Sequence, residues 1–98
     1  MKVKELISKA RKLRNEAAFL EQQFRYAAIK YLNTIVSVAS CNSDDTDGKA
    51  CLEEIDASYN SDNDLVTIEY VIMNKYGDFT ETKTIKVSSS EIDKYILK

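Results

Sequence analysis

Between Val3 and Val38 the chain contains neither glycine nor proline, and apolar residues recur along that stretch at alternating steps of three and four. The series runs Val3, Leu6, Ala10, Leu13, Ala17, Leu20, Phe24, Ala27, Tyr31, Thr34 and Val38, and only Thr34 interrupts it. A seam held over more than three or four heptads is the pattern of a helix that packs along its length against another helix. The spacing predicts one long helix over residues 1–40. A break at Asn15, which would fold the helix back on itself, is the competing arrangement.

The stripe changes width along the helix. Near the start it is narrow, with Ala10 and Ala17 alternating with Leu6, Leu13 and Leu20. Further on, Ala28, Ile29, Leu32, Ile35 and Val36 widen it, as expected of a helix covered on two sides. A helix of about 35 residues is about 52 Å long, whereas strands of six to eight residues span about 20 to 27 Å. The sheet encoded downstream cannot cover it. Leu6, Ala10, Leu13, Ala17 and Leu20 are therefore expected to contact a second copy, making the protein a dimer or higher homo-oligomer. In a parallel pair Lys9 would lie near Arg14, and Glu16 near Glu21, of the other copy, so both flanking contacts would be repulsive. Antiparallel pairing, which brings Lys9 and Arg14 toward Glu16 and Glu21, is preferred.

The remainder reads as an acidic loop over 41–50, an antiparallel β meander over 51–88 and a short helix over 89–97. In LVTIEYVIMN the residues Val66, Ile68, Tyr70 and Ile72 form one apolar face, and TETKTIKV follows the turn residues YGDF. With Gly77 and Asp78 at the centre of a tight turn, Tyr70 would pair with Ile85, Ile68 with Val87 and Glu69 with Lys86. A first strand is expected at EEIDASY. Ser88 and Glu91 form a capping box for the closing helix, whose apolar face is Ile92, Tyr95 and Ile96. The fold class expected is α+β: a long N-terminal helix on a small antiparallel sheet of about three strands, with a short C-terminal helix.

At 98 residues the chain fits one domain, and 44% apolar with 31% charged residues suit a globular protein. There is no histidine, which removes the commonest general base and the commonest transition-metal ligand. Triads and histidine-based zinc sites are excluded. The carboxylate pairs Asp44–Asp45 and Glu53–Glu54 are adjacent in sequence and do not converge on a substrate, and no nucleophile stands with a base. The expectation is a protein without enzymatic activity, metal or cofactor.

The start of the chain, MKVKELISKARKLR, is charged throughout and reads as neither a signal peptide nor a membrane span. A cytoplasmic protein is expected, and Cys41 and Cys51 would then be reduced, the alternative being a disulfide that closes CNSDDTDGKAC. The segment SDDTDGKACLEE resembles an EF-hand loop at Asp45, Asp47, Gly48 and Glu54, but Ser43 stands where the first acidic ligand belongs. A strand rather than a helix is expected after it, so the segment is read as a turn.

Charge is uneven. Residues 1–40 carry eight Lys and Arg against three Glu, and residues 41–98 carry six Lys against thirteen Asp and Glu. Lys9, Arg11, Lys12 and Arg14 are the candidate anion-binding residues, for phosphates of a nucleotide or nucleic acid. No aromatic residue is interleaved with them to stack a base. Among six tyrosines, Tyr76 beside the turn is expected to be the most exposed. The function expected is that of a binding protein: an inhibitor, sequestering protein or adaptor for a protein or phosphate-bearing ligand, of a kind that mobile elements and phages encode. A nucleic-acid-associated protein using the basic helix is the alternative.

Overall fold

The computed structural model describes residues 2–96. Helix α1 runs unbroken from Val3 to Leu32, straight through Asn15. It stops short of the 1–40 expected. The sequence after Leu32 explains why: Asn33 is followed by the β-branched residues Thr34, Ile35 and Val36, which lose side-chain freedom in a helix. Asn33 Oδ1 accepts from the Val38 N–H at 3.1 Å, and the Thr34 hydroxyl donates to the Tyr31 carbonyl at 2.6 Å. These side chains engage the backbone at the point where helical bonding ends. Val38–Ala39 becomes strand β1 instead, so the last two positions of the seam, Thr34 and Val38, lie outside the helix.

The sheet is mixed and five-stranded, not an antiparallel meander of three. Strand β1 pairs in parallel with β2 (Ala50–Cys51), Val38 opposite Ala50. Strand β4 (Leu65–Met73) is the centre. Along one edge it takes β3 (Asp56–Asn60) opposite residues 65–69 and β2 opposite Ile72, and along the other it takes β5 (Phe79–Ser88). A 3-10 turn, Leu52–Glu54, separates β2 from β3, so Glu53 and Glu54 are not strand residues as expected.

The β4–β5 hairpin exists, but its register differs by two residues from that expected. Ile68 faces Ile85, Val66 faces Val87 and Glu69 faces Thr84. Asn74 is the cause. Its side chain accepts from the N–H groups of Tyr76 and Asp78, its carbonyl accepts from the Gly77 N–H, and its own N–H donates to the Asp78 carbonyl. The loop is thus Lys75-Tyr76-Gly77, with Gly77 at φ 82°, the left-handed position that closes a three-residue hairpin. A shift of two residues preserves which face each side chain occupies.

Helix α1 meets the sheet only through its last turns. Ala27, Ala28 and Leu32 are buried with Ala50, Ile55, Val66, Ile68, Tyr70 and Ile92. The two alanines allow close approach of helix and sheet. Helix α2 (Ser89–Asp93) is shorter than expected, and Leu97 of the expected span lies outside the described residues. Ser88 is its cap as expected, its hydroxyl accepting from the Ser90 N–H. Tyr95 meets Tyr31 edge-on, with ring centroids 6.3 Å apart. Residues 2–22 of the chain are exposed throughout, so most of α1 projects from the body as an arm in a molecule measuring 57 × 31 × 23 Å.

Candidate functional site

The arm carries the narrow part of the seam. Leu6, Leu13 and Leu20 are 51%, 59% and 62% exposed, and Ala10 and Ala17 are exposed between them. Ile7 broadens the stripe near its start, whereas exposed Phe19 lies about 130° around the axis from its centre. Polar helix surface needs no partner, but a row of half-exposed leucines at heptad spacing retains apolar area that contact with another surface would remove from water. Lys9, Arg14, Glu16 and Glu21 flank the stripe, and none of the four forms an ion pair among the described residues.

The basic residues are differently placed. Lys9, Arg11, Lys12 and Arg14 are all exposed on α1. At about 100° per residue, Arg11 lies about 160° around the axis from Lys9, Lys12 lies between them, and Arg14 lies on the far side of Arg11. They surround the helix rather than line one face. A single phosphate backbone could meet only some of them.

At the root of the arm the stripe runs into an apolar groove of about 480 Å³, lined by Leu20, Phe24, Tyr59, Val66, Ile92 and Ile96. Its polar rim is Glu21, Ser89 and Asp93, and next to it Asp64 accepts from the hydroxyls of two lining residues, Tyr59 at 2.6 Å and Ser89 at 2.8 Å. Those two donors hold the Asp64 carboxyl below its ordinary range, while the carboxylate beside it pushes the Tyr59 phenol up. The sequence hides this groove because its walls come from α1, β3, β4 and α2, distant segments whose apolar residues each read as core.

The acidic loop is fastened as a turn. Thr46 is buried and donates to the Asn74 carbonyl at 2.7 Å, Gly48 at φ 73° donates its N–H to the Met73 carbonyl, and Asp45 pairs with Lys49 at 3.4 Å. Glu54 sits in the 3-10 turn, and Asp45, Asp47 and Glu54 form no shared cluster among the described residues.

The ends of that loop do come together. Cys41 is exposed, Cys51 is buried, both are free thiols, and their sulfurs and a Glu53 carboxylate oxygen lie within 4.8 Å of one another. Glu53 accepts from the Ser40 hydroxyl, from the Cys41 N–H at 3.1 Å and from the Cys51 thiol at 3.4 Å. The Ser40 bond foremost, then the Cys41 N–H, lowers its carboxyl to about 2, and burial pushes the Cys51 thiol up. The cysteine spacing is visible in the sequence, but Glu53 joins it only because the chain turns immediately after Cys51. Tyr76 is 75% exposed, as expected, with the Lys75 ammonium 5.0 Å from its ring centre.

Comparison of the chain with known protein families, with curated proteins and with solved structures finds no match. Among the described residues no helix is long and apolar enough to cross a membrane.

Proposed function

We propose that this chain is a non-enzymatic, cytoplasmic binding protein that works as a homo-oligomer, with the arm of α1 as its self-association surface. The observation that carries the reading is the exposed leucine row of Leu6, Leu13 and Leu20 on a helix that extends beyond its own sheet. The order of small and large residues favours an antiparallel pair. In parallel pairing, alanine layers face alanine and leucine layers face leucine, leaving alternate layers loosely filled. In antiparallel pairing about Asn15, Ala10 meets Leu20 and Ala17 meets Leu13 of the second copy, so every layer joins a small residue to a large one.

Oligomerisation of this kind leaves the grooves at the roots of the arms for a target. Their apolar walls suit a protein segment better than a nucleotide, and the activity that follows is that of an inhibitor, sequestering protein or adaptor. Nucleic-acid binding through Lys9, Arg11, Lys12 and Arg14 is the weaker reading, since those side chains surround the helix.

Light scattering on the full chain tests the proposal. The wild type should be dimeric or larger at tens of micromolar, roughly the range expected for a functional self-contact. Replacing Leu13 and Leu20 together by Glu should give a folded monomer with unchanged circular dichroism from the body. A wild-type monomer at that concentration overturns the reading.

A further inference from the structure

We infer that Cys41, Cys51 and Glu53 form a binding site for a thiophilic divalent cation, zinc above all, that staples the two ends of the acidic loop. Two thiolates and one carboxylate are a donor set that zinc accepts, and the absence of histidine does not weaken it. The spacing fits. With bonds of about 2.3 Å to sulfur and about 2.1 Å to oxygen, a tetrahedral centre separates its sulfur and oxygen ligands by about 3.6 Å and its two sulfurs by about 3.8 Å. Cys51 Sγ and Glu53 Oε2 already stand 3.4 Å apart, and no pair in the cluster is separated by more than 4.8 Å.

The surroundings are those of a supported site. The Ser40 hydroxyl and the Cys41 N–H fix the Glu53 carboxylate in place, as outer partners of a metal ligand do. Cys51 is anchored in buried β2, while exposed Cys41 provides the way in and adjusts to close the cage. On binding, each thiol releases one proton to solvent, two Zn–S bonds and one Zn–O bond form, and no electrons move. The bond that the Cys51 thiol donates to Glu53 is replaced by their shared bonds to the metal. The fourth position stays open to water. Asp45 pairs with Lys49 and is not among the converging ligand atoms.

The test uses the full chain, reduced under anaerobic conditions and titrated with Co²⁺ as a spectroscopic stand-in and then with Zn²⁺. The expected result is a thiolate-to-cobalt charge-transfer absorption with the intense visible bands of tetrahedral cobalt. One equivalent of Zn²⁺ should abolish both, and Zn²⁺ should raise the Tm by several degrees. Ser40→Ala, which leaves all three ligands in place, should weaken zinc by about 10- to 100-fold, and Cys41→Ser by more. Cys41 is exposed, so its replacement leaves the core intact, and the Tm without metal reports on folding. The inference is overturned if the reduced chain gives no charge-transfer band, or if Cys41→Ser binds zinc as tightly as the wild type. It is equally overturned if, when oxidised glutathione is added as the two-electron oxidant, Cys41 and Cys51 close to a disulfide as readily with excess Zn²⁺ as without it, seen as the loss of two hydrogens by mass.

Discussion

Gly48 and Gly77 both adopt left-handed backbone, at φ 73° and φ 82°, and neither is crowded. A Cβ on Gly48 would meet nothing within 4 Å, and one on Gly77 would come no closer than 3.7 Å, to the Cys41 carbonyl. The penalty of adding a side chain is therefore conformational. Gly48→Ala and Gly77→Ala should each destabilise the protein by about 1 to 2 kcal/mol in urea denaturation, with asparagine tolerated better at both positions. Equal stability of wild type and both alanine variants would contradict the backbone assignment. Glu53 makes a second prediction at this scale. Its carboxyl is lowered from 4.5 to about 2 on folding, so the stabilisation it supplies is complete above pH 4.5 and is lost as pH falls toward 2. Glu53→Gln should flatten the fall of Tm over that window in metal-free protein. An unchanged profile would mean that the Ser40 and Cys41 bonds do not hold the carboxylate in solution.

Helix α1 divides into two parts with opposite responses to substitution. Leu32 is fully buried, and Leu32→Ala should destabilise by about 2 to 5 kcal/mol at any protein concentration. Leu13 touches no core of its own chain. Leu13→Ala should leave the dilute protein's stability within about 0.5 kcal/mol of wild type, yet remove the concentration dependence of the Tm. Calorimetry across a hundredfold range of concentration separates the two. That division was partly legible in the sequence: the seam narrows where the arm leaves the body and widens through Ala28, Ile29 and Leu32 where the sheet begins. The end of the helix was not, because a heptad count carries Thr34 and Val38 along without weighing Asn33 and the β-branched run behind it. The hairpin was visible from its alternation, but its register was not, since sliding by two residues keeps Ile68 and Ile85 on their faces. Asn74, whose side chain selects the loop, contributes nothing to hydrophobic pattern. Strand β1 escaped notice because two residues have no period. The candidate site was legible in the same uneven way: Leu6, Leu13 and Leu20 announce themselves, whereas the groove and the Cys41–Cys51–Glu53 cluster need the tertiary fold to exist.

At the scale of the molecule, the positive arm and the negative body make salt an informative variable. Self-association through an apolar leucine seam should change little between low and physiological salt. Duplex binding would instead lose affinity with a log-log slope of about −0.9 for each phosphate neutralised. A polyanion held at low salt and released along that slope would favour the nucleic-acid reading over the oligomer. Hydrogen exchange offers an independent check. In dilute protein the amides of residues 5–20 should exchange within the fraying regime of a solvated helix while those of 27–32 stay protected, and raising the concentration should protect the arm.

Strand β4 touches β2 and β3 along one edge and β5 along the other, and this hub has a consequence for the order in which the chain assembles. The β3–β4 and β4–β5 connections are short, so those pairings close small loops, whereas β1, β2 and the root of α1 must find the sheet across larger separations and greater loss of chain entropy. The three-stranded unit around β4 is the natural nucleus, and helix docking the late event. Ile68→Val should then slow refolding, while Leu32→Ala should chiefly accelerate unfolding. None of these strands covers the leucines of the arm, so Leu6 and Leu13 stay open to solvent through every stage of this order, the finished fold included.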